Sequence, residues 1–306
     1  MQRRFSDYLI ITLKGLAMGA ADAIPGISGG TIAFISGIYE ELISTISNIK
    51  PSLFKTLFKK GIAAFWKEAN GNFVLALLSG IVISYISFMK LAKYLLEYHP
   101  ILIWSFFFGL IVASIYFVGK QITKWDLPTI IALIIGAGIA FYISILPVMA
   151  ANDSLLFLFF AGAIAICAMI LPGISGSFIL IILGAYKTIS DAIHDIDIKK
   201  LLIFIAGAVV GLLSFSHALK WLFKNYHNIT LALLTGFIFG SLNKVWPWKE
   251  TITWYTNSKG INEPLLQESV SPFSFDGDSQ LLVATILMII GFLSIFILEK
   301  IGSKKQ

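Results

Sequence analysis

The sequence predicts an all-α polytopic membrane protein built from two inverted repeats, each a re-entrant helical hairpin plus three transmembrane helices. Three observations carry that expectation. The first is composition: of 306 residues, 57% are hydrophobic and 13% charged, and the mean hydropathy is +0.85, which leaves too little polar surface to cover a soluble globule of this size. The second is a stretch that occurs twice. Residues 25–39 read PGISGGTIAFISGIY and residues 172–186 read PGISGSFILIILGAY, identical at nine of fifteen positions without a gap. The third is the number of crossings: each half holds one hairpin and three further apolar runs, an odd count, so the second half enters the membrane from the side opposite to the first.

Residues 1–150 form the first repeat. An apolar helix over 8–24 stops at Pro25, a second covers 31–46, and PGISGG turns between them. Arms of about 15–17 residues reach roughly 22–26 Å, short of a hydrocarbon core about 30 Å thick, so the hairpin 8–46 is expected to dip partway in and return. Non-helical backbone at that depth is tolerated only where it is buried in protein or lines a wet cavity. Arg3 and Arg4 ahead of an apolar run ending near Ala21, Asp22 and Ala23 imitate a signal peptide. Cleavage would remove the first arm while its counterpart before the second motif stays, so the segment reads as retained. Residues 48–70 interleave Lys50, Lys55, Lys59, Lys60 and Lys67 with Leu53, Phe54, Leu57, Phe58, Ile62, Phe65 and Trp66. The apolar residues recur at three- and four-residue steps, the pattern of an amphipathic helix on a membrane face; a solvated basic loop is the plainer alternative. Spans follow at about 72–94, 100–119 and 127–148.

Residues 151–306 repeat the plan with a hairpin over 155–190 and spans at about 201–223, 228–245 and 281–298. A polar stretch from Trp246 to Gln280 precedes the last span. Outside the motif, Gly80 matches Gly207, Phe88 matches Phe215 and Gly109 matches Gly236 at an offset of 127, whereas the motif offset is 147; the amphipathic segment accounts for the 20 extra residues. With the N-terminus inside, 14 basic residues fall on inner segments and 8 on outer ones, with Lys14 within the membrane. That bias predicts a cytoplasmic N-terminus in a multi-pass protein of the cytoplasmic membrane. The net charge of +6 lies beside apolar runs, so membrane lipid rather than nucleic acid is the expected partner. Cys167, the single cysteine, allows no internal disulfide and reads as a core residue. His99, His194 and His227 lack metal-ligand spacing, and neither metal nor cofactor is expected.

The two motifs also suggest chemistry. Gly26, Gly29, Gly30, Gly173 and Gly176 clear side chains from the turns, and Ser28 and Ser175 stand at N-cap positions, placing the positive dipole end of each second arm at a tip. Inversion turns the tips towards each other near the midplane, where they would make an anion site for a phosphate or carboxylate. The plainer reading is that Pro25, Pro172 and the glycines only permit tight turns and close packing. Asp22 is expected at the site, either carrying a coupling proton or sodium ion or holding exposed backbone N–H groups. Lys14 would meet an anionic headgroup, snorkel, or pair with Asp22. Tyr39 and Tyr186 match between repeats and read equally as interfacial tyrosines. Glu40 and Glu41 read as solvated charges at the hairpin end. Lys90 and His217 occupy equivalent positions, as do Lys93 and Lys220, which suits a headgroup at matching depth on both sides or ordinary span ends. Trp246, Trp248, Trp254 and Tyr255 read as an aromatic belt or as a cover over the outer mouth. Neither motif holds an Arg suited to a transferring phosphoryl group, and no acid and base converge, so no catalytic residue is assigned.

GAADAIPGISGGTIAFISGIYEELI, together with the second PGISG, resembles the polyprenyl-phosphate transporter family of bacteria and archaea over nearly the whole chain. The resemblance implies translocation of undecaprenyl phosphate, the spent lipid carrier of cell-envelope synthesis, across the cytoplasmic membrane for recycling. It further implies that Asp22, Pro25, Gly26, Ser28, Gly29, Gly30, Thr31, Tyr39 and Glu40 line the headgroup path, with Pro172, Gly173, Ser175 and Gly176 opposite. In the second copy Met169 replaces the acid, Ser177 the third glycine and Phe178 the threonine, so the hairpins need not contribute equally. A phosphate monoester carries about −1.5 to −2 charge near neutral pH, which suits paired helix N-termini. A small-anion secondary transporter and a polyprenyl-pyrophosphate phosphatase are the alternatives.

Overall fold

The computed structural model describes residues 3–23, 28–150, 152–256 and 262–303. In chain order they form α1 (Phe5–Asp22), α2 (Gly29–Ile35), α3 (Tyr39–Ser47), α4 (Pro51–Glu68), α5 (Gly71–Tyr98), α6 (Pro100–Gly119) and α7 (Leu127–Ser144). There follow α8 (Leu155–Ile170), α9 (Gly176–Ile182), α10 (Ala185–His194), α11 (Ile198–Asn225), α12 (His227–Gly240), a 3-10 turn Ser241–Asn243, β1 (Lys249–Thr256), β2 (Asn262–Ser269) and α13 (Leu281–Ser303). The protein is a mostly helical, polytopic membrane protein. Among the described residues four helices, α5, α6, α7 and α11, are long and apolar enough to cross a membrane, and α8 and the Leu281–Phe296 part of α13 are shorter apolar helices.

Both second arms differ from the unbroken helices expected, one over 31–46 and the other closing the hairpin 155–190. The first breaks at Gly37, with φ +73°, and the second at Gly184, with φ +68°. Gly37 and Gly184 occupy the same motif position, and only glycine takes the left-handed region without strain. At the second break α9 and α10 meet at 108°. The span expected over 228–245 is also shorter: α12 has 14 residues, about 21 Å. Leu231, Ala232, Leu234 and Ile238 are almost fully buried, so α12 is walled by protein and need not meet lipid along its length. By contrast α5, α7 and α11 keep most of their apolar surface on the outside, as lipid-facing helices do. The polar stretch after Trp246 contains an antiparallel hairpin, β1 pairing with β2, with Lys249 opposite Ser269. The segment at 48–70 is α4, helical as expected but kinked at Gly61 (φ +80°), with Leu53 its one buried residue and Phe54, Phe58, Ile62 and Trp66 exposed.

Small residues set the helix pairs. Gly80 of α5 lies against the Thr12 carbonyl of α1, and Gly207 of α11 lies against the Phe159 carbonyl of α8; Gly15 and Gly162 return the contact at the Leu77 and Phe204 carbonyls. These two contacts of the first half thus recur in the second, with the hairpin residue shifted by 147 and the span residue by 127. The next pairs cross between halves. Gly109 of α6 meets the Met288 carbonyl of α13, while Gly236 of α12 meets the Leu133 carbonyl of α7.

Polar contacts fix the ends of this bundle. At the end where α7 and α12 begin, Thr123 N donates to Asn228 Oδ1 at 3.0 Å, Glu40 stands 3.8 Å from His227 Nδ1, and Lys220 donates to Asn48 Oδ1 at 2.9 Å. Here Arg3 donates to both carboxylate oxygens of Glu41 at 2.6 Å, so α3 returns to the start of α1. Where α7 and α12 finish, Asn243 donates to Ser144 Oγ at 2.9 Å. Close to this end in sequence, Met149 N donates to Ile182 O at 2.7 Å, and Thr188 donates to Asp153 Oδ1 at 2.8 Å, so α10 returns to the start of α8. Glu41 and Thr188 are the same repeat position. Glu41 is therefore not the solvated charge expected of it, since Asn70 also donates to it at 3.0 Å.

Candidate functional site

The tips of the two motifs touch. Ser28 Oγ donates to the Met169 and Leu171 carbonyls at 3.0 and 3.3 Å, and Thr31 Oγ1 accepts from Gly173 N at 2.9 Å. Gly30 lies flat against the Ile170 carbonyl, where a Cβ would collide, and Gly173 reaches the Phe237 carbonyl of α12 with φ +86°. Pro172 is buried in the second turn. Pro25 and Gly26, also expected at the site, lie outside the described residues.

The tips are chemically unlike. At the first, the Asp22 carboxylate accepts from Gly29 N at 2.6 Å, and Ser28 Oγ accepts from Gly30 N at 3.1 Å. Its own side chains therefore occupy the N–H groups that an anion was expected to meet. Lys14 pairs not with Asp22 but with the other end of α2, donating to Ser36 O at 2.6 Å, a cation where the helix dipole is negative. At the second tip Met169 stands where the acid was. Ser175 caps no N–H of α9, and its hydroxyl lies 2.9 Å from that of Ser177. Gly176 packs on the Ala165 carbonyl of α8.

A cleft opens beside the second tip, lined by Ala140, Ile143 and Ser144 of α7, Gly173, Ile174, Ser175 and Phe178 of the motif, and Ser241 and Lys244. Lys244 Nζ sits 4.0 Å from the centroid of Phe178, the residue that replaces Thr31. Next to it, Lys249 Nζ lies 4.6 Å from the centroid of Trp104 and donates to the Lys244 carbonyl. Burial, and then the neighbouring Lys244 charge, push the Lys249 ammonium well below the usual lysine range. Hydroxyls, a backbone turn and a cation on one cleft suit an oxyanion. Sequence reasoning missed both lysines because they lie outside the repeated motif and had been grouped with outer charges. Trp246 and Trp248, read there as an aromatic belt or as a cover over the outer mouth, brace the fold internally. Trp248 is 2% exposed, their indoles donate to the Ser279 and Val270 carbonyls at 2.9 and 2.8 Å respectively for Trp248 and Trp246, and Trp246 packs on Phe108 of α6. Trp254 is exposed.

The remaining candidates stand apart from the tips. Tyr39 is buried edge-on to Phe34 and Phe223, and its hydroxyl has no partner among the described residues. Glu40 is exposed at the end where α7 and α12 begin. Lys90 is exposed on α5, and His217 turns its Nδ1 to Leu213 O, 2.6 Å away on its own helix. A second, apolar groove runs between α5, α6 and α13, lined by Phe88, Leu95, Leu102, Phe106 and Leu287 among others.

The sequence profile of the undecaprenyl phosphate translocase-like family matches residues 18–263, a stretch that takes in both tips, Lys244 and Lys249. The chain belongs to that family. Within it, a protein of Vibrio cholerae serotype O1 named polyprenyl-phosphate transporter is 47% identical over 308 residues, spanning 99% of this chain and all of the relative. One of Staphylococcus aureus with the same name is 33% identical over 265 residues, 80% of this chain and 89% of the relative. No solved structure matches the chain. The family likeness thus covers the site as a whole.

Proposed function

We propose that the protein translocates a polyprenyl phosphate, such as undecaprenyl phosphate, between the leaflets of the cytoplasmic membrane as a transporter and not an enzyme. The observation that carries this is the meeting of the two tips, with Ser28 and Thr31 bonded to the backbone of Met169 and Gly173 beside a cleft of hydroxyls and a lysine. Family membership and the names of the relatives support the same ligand.

On this reading the halves 1–150 and 151–306 are inverted repeats and the motifs are re-entrant hairpins. The closing contacts Arg3 to Glu41 and Asp153 to Thr188, set by opposite ends of α7 and α12, and the glycine contacts that recur at fixed offsets support it. The headgroup passes the tips while the prenyl tail stays in lipid, with the apolar groove beside α6 as its path. The second tip, free of a carboxylate, holds the phosphate; the first is closed by Asp22 and yields only when that carboxylate lets go of Gly29. Asp22 is therefore the group on which a coupling proton or sodium ion acts.

Proteoliposomes containing the full chain test this. Movement of a short-chain polyprenyl phosphate between leaflets, with no phosphate released from the pyrophosphate, is the expected result. Hydrolysis would make the cleft an active site, and transport of inorganic phosphate alone would make it a small-anion carrier. Asp22→Asn is expected to remove any dependence of the rate on a pH or sodium gradient; an unchanged dependence would leave Asp22 with the cap alone.

A further inference from the structure

Lys244 lines the cleft beside the second tip and Lys249 stands next to it, and among the described residues neither has an anion to match it. Lys244 and Lys249 are adjacent, each faces an aromatic ring, and the ammonium of one donates to the carbonyl of the other. Among the described residues no carboxylate lies within ion-pair distance of either. Aromatic faces offset part of the cost of holding such charges away from water, but two neighbouring cations repel. A guest of high negative charge relieves that repulsion and favours the ammonium form of both lysines.

We propose that Lys244 and Lys249 together select the terminal phosphate monoester of a lipid and reject the phosphodiester headgroups of ordinary membrane lipids. A monoester carries about −1.5 to −2 charge near pH 7, having two acidic oxygens where a diester has one. Ser175 lines the same cleft, and its hydroxyl, which is 2.9 Å from that of Ser177 and caps no helix N–H, can turn to a remaining oxygen. The same two turns of α6 that carry Trp104 beside Lys249 also turn Leu102, Phe106 and Phe107 to the apolar groove, so charge recognition and a path for the tail lie side by side. This inference rests on the lipid-phosphate reading above and adds what distinguishes the substrate from its surroundings.

The test is equilibrium binding to the purified full chain in detergent, with a short-chain prenyl phosphate, its methyl diester and inorganic phosphate as probes. The wild type is expected to favour the monoester over the diester by about tenfold or more, the worth of one charge-assisted contact. Lys244→Gln and Lys249→Gln should each bring the two lipids near parity, and Lys249→Arg should restore most of the preference. Lys200→Gln, at the ion pair with Asp197, should leave it unchanged. Lys249→Met, which removes a buried amine that no anion pairs, should melt no lower than the wild type. An unchanged preference in both Gln variants overturns the proposal, as does inorganic phosphate binding as tightly as the prenyl phosphate, which would assign the pair to the free ion. A large fall in the Lys249→Met melting temperature would make the pair structural. Wild-type protein that keeps the lysine-dependent preference but moves no lipid removes the transport reading alone; translocation with a preference indifferent to the lysines removes this proposal alone.

Discussion

At Asp22 one carboxylate and one expected ligand compete for the same backbone. The side chain accepts from Gly29 N and fills the space over Gly29, where any Cβ would strike it. Asp22→Ala should cost about 0.5–2 kcal/mol as a lost helix cap, whereas Asp22→Asn, which keeps an acceptor oxygen, should cost a fraction of that; melting curves in detergent check the order. Gly29→Leu and Gly176→Leu should both insert and fail to transport, the first by displacing Asp22 and the second by driving against the Ala165 carbonyl. At this scale the sequence displayed the departures Met169, Ser177 and Phe178 without their meaning. The partner of Phe178 is Lys244, far away in the chain and outside any repeat, and no periodicity links a ring to a cation that reaches it only in the fold.

Among the elements, the repeated pieces were the legible ones. Apolar length located α5, α6, α7, α8 and α11 to within a few residues, because a lipid-facing helix must stay apolar over most of its length. The breaks in the second arms were not legible, although Gly37 and Gly184 were in plain view. A single glycine inside an apolar helix costs only about 1 kcal/mol, and a positive φ leaves no mark on the sequence. Gly37→Ala should cost about 1–2 kcal/mol, the strain of a side chain in the left-handed region, because its surroundings are open. Gly184→Ala should cost more, since the Met149 and Ala150 carbonyls already crowd that position; thermal unfolding of the two variants gives the comparison. The β-hairpin did leave a signal, the alternation in TITWYT, but it was hidden in a stretch read as polar cover. There Trp246 and Trp248 brace the chain against α6, and only contacts across the fold reveal that.

For the whole molecule, the sidedness of equivalent positions decides the architecture. Glu40 and Lys187 match at the motif offset and both are exposed. Introduced singly in a Cys167→Ser background, Glu40→Cys and Lys187→Cys should react with an impermeant thiol reagent from opposite faces of the membrane; labelling from one face would refute the inverted repeat. The crossing of helices between halves carries a further consequence for how the chain is made. α6 packs on α13 and α7 on α12 through glycines that admit no side chain, so when residue 150 leaves the ribosome the first half still presents two notched faces whose partners do not yet exist. Residues 1–150 expressed alone should be degraded, and co-expression with 151–306 should rescue them, because each half is the scaffold on which the other completes its folding.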